Sequence, residues 1–103
     1  MDFIDLEGAS GASYRFRHVA PGAFQPPIAG NYVFVRKDAR GHKVLMIGET
    51  GDLSKVQRDR KLLAPAGASS LFVRLNVSRA VRTAEHDDLS AKHAADTRVE
   101  SFA

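Results

Sequence analysis

The chain has 103 residues, of which 44% are apolar and 26% charged, a composition typical of one small globular domain. The absence of cysteine excludes disulfide scaffolds, thiolate zinc sites and cysteine nucleophiles. The net charge of +3 is small. Its positive excess is confined to residues 36–61, which carry twice as many basic as acidic side chains.

No apolar run approaches the roughly 20 residues that a membrane-spanning helix needs. The acidic opening of the chain lacks the apolar segment of a signal peptide. We therefore expect a cytoplasmic protein that does not enter a membrane.

The first third of the chain predicts a strand, a loop and the start of a hairpin. Residues 14–19 alternate aromatic or apolar with basic side chains, which is the period of a half-buried strand. Prolines and glycines interrupt residues 20–30 and predict a loop. Residues 31–37 (NYVFVRK) and 43–47 (KVLMI) flank a turn-like segment, so they predict a β-hairpin.

Glycines at both ends of residues 48–51 predict a turn that ends the second hairpin strand. A helix should follow this turn, because Leu53 and Val56 fall at helical spacing. Thr50 or Asp52 is placed to cap its first turn.

The last third of the chain predicts a strand and a helix. Residues 71–77 (LFVRLNV) read as a third core strand. Ser78 can cap a helix that runs to about residue 94. The residues that mark its predicted apolar face are Ala80, Val81, Ala84 and Leu89.

These elements predict an α/β (α+β) fold, with helices packed on a single small sheet that contains the hairpin. We divide the chain into an N-terminal strand and loop (1–29), a domain (30–95) and a loose C-terminal tail (96–103).

The order of motifs and elements resembles the GIY-YIG nuclease domain. The carrying stretches are GNY at 30–32, MIG at 46–48 after the hairpin, and TGDL at 50–53 opening a basic helix. The late predicted helix contains Glu85, which resembles the metal-binding glutamate of the family. The family includes the cleavage module of the bacterial excision-repair nuclease and many homing endonucleases.

The resemblance implies a magnesium-dependent endonuclease, in which Tyr32 helps to activate the attacking water and Glu85 binds Mg²⁺. The chain departs from the pattern at Met46, where the family has a second tyrosine. It also departs at Val56, where the family has the arginine that holds the scissile phosphate. The nearest basic residues are Lys55 and Arg58, of which Arg58 is the candidate replacement. Losing such a donor typically costs about 10²–10³ in rate, so we expect weakened or absent catalysis.

Tyr32 and Glu85 each have a structural interpretation as well. Tyr32 can be an aromatic side chain that packs in the sheet and has no catalytic role. Glu85 lies among apolar helical neighbours, where a carboxylate needs a partner. An ion pair with Arg74 or Arg82 would supply one.

The basic excess around the motif predicts binding to a polyanion. We expect weak nucleic-acid binding through the hairpin tip and the first helix. The predicted contact residues are Arg40, Lys43, Lys55, Arg58 and Lys61. Two alternatives remain open: an active magnesium-dependent endonuclease that uses Tyr32, Glu85 and Arg58, and an interaction module that meets a protein partner or a second copy of itself.

Overall fold

The computed structural model describes residues 3–100, which form one six-stranded sheet and three helices and confirm the predicted α/β (α+β) class. In chain order the elements are β1 (Phe3–Glu7), β2 (Ser13–Val19), β3 (Gly30–Asp38), β4 (Gly41–Thr50), α1 (Leu53–Arg58), α2 (Arg60–Leu63), β5 (Ser70–Leu75), α3 (Arg79–Lys92) and β6 (Asp96–Glu100).

The strands lie in the order β1-β2-β5-β3-β4-β6, and neighbours are antiparallel except for β4 and β6. The predicted hairpin is confirmed, because β3 pairs with β4 and places Tyr32 opposite Gly48. The predicted third core strand is also confirmed, since β5 pairs with the other side of β3 and places Val73 opposite Tyr32. β3 is therefore an interior strand.

Two apolar clusters cover opposite faces of this sheet. Successive strand residues point to opposite faces, and β3 gives Val33 and Val35 to one cluster but Tyr32 and Phe34 to the other. The α3-side core consists of Leu6, Phe16, Val33, Val35, Val44, Ile47, Phe72 and Leu89. The α1-side core consists of Val19, Tyr32, Phe34, Leu53, Val56, Leu71 and Val73.

The predicted turn at residues 48–51 is wrong in its position, because β4 continues through Thr50. Gly48 lies within the strand, where a β-carbon would overlap the ring of Tyr32. This glycine serves the close approach of an aromatic ring rather than a chain reversal. The helix still begins as predicted, since the Asp52 side chain caps α1 by accepting a hydrogen bond from Ser54 N at 2.9 Å.

The third helix is confirmed, with Ser78 as its N-cap, but its predicted apolar face is wrong. The three buried residues of α3 are Arg82, His86 and Leu89. Only Leu89 belongs to the predicted set, and Val81 is exposed. A buried arginine is tolerated here because it faces one carboxylate and two backbone carbonyls. Among residues 3–100, no helix combines the length and the apolar character that crossing a membrane requires.

The predicted division at residue 30 and the loose tail are both wrong for the described residues. β2 pairs with β5, so the N-terminal segment is part of the same sheet as the rest of the chain. Residues 96–100 form an edge strand parallel to β4. Residues 101–103 of the predicted tail lie outside the described residues.

Asp88 on α3 ties the β1–β2 turn to the helix. Its carboxylate accepts hydrogen bonds from Ser10 N at 2.8 Å, Ser10 Oγ at 2.6 Å and the Tyr14 hydroxyl at 2.7 Å. Gly8 makes room for this approach, because a β-carbon there would overlap the carboxylate. The Ser10 and Tyr14 donors hold the pKa of Asp88 below its usual value.

Candidate nucleic-acid interface

Tyr32, the predicted water-activating residue, is 0% exposed. Its ring lies over Gly48 and meets Phe34 edge-on, with ring centroids 6.0 Å apart. A general base must reach a water or a substrate atom directly or through one water. In this arrangement the hydroxyl is closed off from solvent within the α1-side core, and the side chain has the sheet-aromatic role.

Glu85, the predicted metal ligand, is hydrogen-bonded to two residues, one near the end of β5 and one just after it. Its carboxylate accepts hydrogen bonds from Arg74 Nε at 2.7 Å and from Asn76 Nδ2 at 2.9 Å. The side chains of Arg74 and Glu85 are only 30% and 14% exposed. Asn76 Nδ2 also donates to Asn31 Oδ1 at 3.0 Å, so the network continues into β3.

This surrounding does not fit a magnesium ion. A hard cation needs free oxygen ligands, whereas Glu85 already faces a guanidinium that repels a second cation. Within residues 3–100, no three histidine, aspartate or glutamate side chains come together in a group that could hold a metal. Arg74 is one of the two arginines expected to pair with Glu85 if the role of this glutamate is structural.

Arg58, the predicted phosphate-holding residue, lies exposed at the end of α1 and pairs with Asp59 at 3.2 Å. This hydrogen bond holds the pKa of Asp59 below its usual value. Val56, where the GIY-YIG resemblance leads us to expect an arginine, is fully buried in the α1-side core, as its apolar spacing predicts.

The three predicted catalytic residues do not converge. Tyr32 and α1, which carries Arg58, belong to the α1 side of the sheet. Glu85 lies on α3, which packs on the opposite face. The strands therefore separate the carboxylate from the other two groups.

A groove of about 710 Å³ opens beside α1 and α2. Asp59 separates the two helices and acts as the C-cap of α1. Gln57 holds the opposite wall by donating hydrogen bonds to Ala20 O at 3.0 Å and Ala23 O at 2.7 Å. Arg60 Nη1 adds a bond to Val19 O at 2.7 Å. We call this feature the basic groove; it is lined by residues 21–23, Phe34, residues 57–62, Ala64 and residues 68–70.

Arg58, Arg60 and Lys61 contribute positive charge to the basic groove. Burial lowers the pKa of Arg60 from its usual value, but a guanidinium stays protonated in proteins. Arg36 adds to this side. Its Nη1 atom lies 3.9 Å from the position that a β-carbon on Gly67 would occupy, and Gly67 falls in the chain between the lining residues Ala64 and Ala68. Lys43 is paired directly opposite Arg36 in the hairpin, so the two share a face.

The sequence thus predicted part of this surface and missed part of it. Arg58 and Lys61 line the groove, whereas Arg40 lies exposed at the hairpin tip. Lys55 is half-buried, with its charge near Asp52 and Asp59.

Two further arginines, Arg36 and Arg60, were not among the predicted contacts. Both were counted in the charge of residues 36–61, but nothing in the sequence was a reason to choose them as contacts. Their position beside the groove depends on how the hairpin and the helices pack.

A second ion pair, more deeply buried than the first, lies at the α3 side of the sheet. Arg82 Nε and Glu49 Oε2 are 3.5 Å apart, and the two side chains are 9% and 5% exposed. Thr83 Oγ1 donates a hydrogen bond to the same glutamate oxygen at 2.9 Å. Arg82 Nη1 donates to the carbonyls of Asn76 and Val77, at 3.1 Å each. This pair fixes the first turns of α3 against β4.

Comparison of the chain with models of protein families, with curated proteins and with solved structures found no match. The GIY-YIG resemblance therefore stays a prediction that rests on the motif residues and on the order of elements.

Proposed function

We propose that this chain is a cytoplasmic, GIY-YIG-like domain without effective nuclease activity that binds nucleic acid weakly through the basic groove. One observation carries the proposal: Arg60 and Lys61 line the groove, and Arg36 from the hairpin lies on the same side of the sheet, near Gly67. Clustered positive charge favours a polyanion, because phosphate contacts release condensed counterions.

Arg58 adds a fourth positive charge, which can leave Asp59 and bind a phosphate instead. Its exposed pair with Asp59 contributes little to stability, so a phosphate can take the place of the carboxylate. Lys43 extends the positive surface toward the hairpin tip.

Binding to duplex DNA tests this proposal. About four phosphate contacts predict a Kd of roughly 10⁻⁴–10⁻⁶ M and a log–log salt slope of about −3 to −4. Replacing Arg36 and Lys61 together by alanine should weaken binding and flatten the slope by about two units. Fluorescence anisotropy with a labelled duplex at several salt concentrations measures both quantities.

The matched control removes two positive charges from α3, on the other face of the sheet. Arg79→Ala combined with Lys92→Ala has the same net charge as the first variant, and both residues are exposed. This control should bind DNA with a nearly unchanged slope. Equal losses in the two double variants would mean that only net charge matters. An absence of binding at low salt would favour the alternative in which this surface meets a protein partner or a second copy of the chain.

Nuclease activity should be absent. Supercoiled plasmid incubated with the protein and magnesium or manganese should show no nicking above the protein-free rate, because Tyr32 is buried and Glu85 is bonded to Arg74. Gel analysis of the plasmid forms over time provides the measurement. Cleavage that disappears in Glu85→Gln would contradict this prediction and favour the active, magnesium-dependent enzyme.

A further inference from the structure

We propose that the basic groove accepts an unpaired nucleobase, so that the preferred ligand is single-stranded nucleic acid rather than a duplex. This inference rests on the proposed function and specifies its substrate class. It follows from the apolar lining of the groove and from an exposed aromatic residue that directly follows part of that lining in the chain.

The first observation is that the groove has an apolar interior beneath its charged side chains. Phe34 from β3 lies at its base and is almost fully buried, while Ala64 and Ala68 line the wall. Leu62 also lines it and is 86% exposed. A phosphate backbone alone leaves such a surface in contact with water. A ligand with both a flat apolar part and a negative backbone covers it.

The second observation concerns Phe24. It directly follows Ala23 in the groove wall, and its side chain is 83% exposed. The Gln57 amide fixes this wall through its bonds to Ala20 O and Ala23 O. An exposed ring that directly follows an anchored part of the lining of a basic groove is suited to stack on an unpaired base.

Charge alone predicts a preference for the duplex, so a comparison of the two ligands separates this inference from simple phosphate binding. A duplex carries the denser phosphate charge, and each contact to it has a steeper salt slope, about −0.9 compared with about −0.7 for a single strand. A surface that recognises only phosphates should therefore favour the duplex. Paired bases are stacked inside a duplex and cannot enter a groove, whereas the bases of a single strand can.

The test compares oligo(dT) of about 12 nucleotides, within the range of known single-strand sites, with a duplex of the same length. We expect the single strand to bind about 10-fold more tightly at moderate salt. Phe24→Ala should weaken single-strand binding about 5- to 100-fold and leave duplex binding nearly unchanged. Phe24→Tyr keeps an aromatic ring and should retain most of the affinity. Phe24 is exposed, so neither change should impair folding.

Val77→Ala is the control, because Val77 is exposed but precedes α3, away from the groove. It should leave binding to both ligands unchanged. Equal affinity for the two ligands, with no effect of Phe24→Ala, would overturn this inference and leave the proposed function intact. Binding of neither ligand would overturn both. Tighter binding of an acidic, leucine-rich peptide than of oligo(dT), with loss on Phe24→Ala, would assign the groove to a protein segment and overturn the inference.

Discussion

Replacing Glu49 by alanine should lower the free energy of unfolding by about 3 kcal/mol, since breaking a buried ion pair leaves an uncompensated charge. Arg82 would keep only its bonds to two backbone carbonyls, and Thr83 would lose its acceptor. Urea unfolding followed by far-ultraviolet circular dichroism measures the change.

Two further variants separate charge burial from general loss of contacts. Glu7→Ala removes a carboxylate from an exposed pair with Lys92, and surface changes of this kind usually stay within about 0.5 kcal/mol. Glu49→Leu combined with Arg82→Met replaces both charges by apolar groups and should recover much of the lost stability. A cost for Glu49→Ala as small as that for Glu7→Ala would contradict the assignment of a buried, interdependent pair.

Gly48→Ala should destabilise the protein by about 3 kcal/mol, at the upper end for overpacking a core. The added β-carbon would overlap the Tyr32 ring, and that ring cannot retreat because it is enclosed by the α1-side core. Thermal and urea unfolding of the variant measure the loss.

The same substitution made in a Tyr32→Leu background identifies the cause. Leucine removes the ring atoms that the new methyl group would strike, so Gly48→Ala should then cost less than about 1 kcal/mol. The difference between the two backgrounds is the coupling between the residues. An equal cost in both backgrounds would place the effect of the substitution in the backbone of β4 instead.

Local patterns in the sequence were sufficient for the central hairpin and the third strand. The VFV run of β3 and the VLMI run of β4 are short and rich in residues that favour strands. The Ser78 cap likewise set the start of α3. β1 carried a weaker pattern, in which Ile4 and Leu6 alternate with Asp5 and Glu7. That alternation could have predicted the strand.

The candidate site could not be predicted in the same way, because it depends on which face each helix covers. Strand alternation places Tyr32 and Val33 on opposite faces, but it does not say that α3 packs over Val33. That choice separates Glu85 from Tyr32, and it results from packing between distant parts of the chain. The buried face of α3 was missed for a related reason: Arg82 has a polar partner that only the folded sheet supplies.

The place of β2 next to β5 has a consequence for how the protein emerges during synthesis. β2 pairs with Leu71–Val73, so the β1–β2 hairpin has no sheet to join until that later strand has left the ribosome. At about 5–20 residues per second, the wait between the two strands lasts roughly 3–10 s. During that time the inward-facing Phe16 and Val19 remain uncovered. The nascent chain should therefore bind a ribosome-associated chaperone over this interval and release it when β5 arrives.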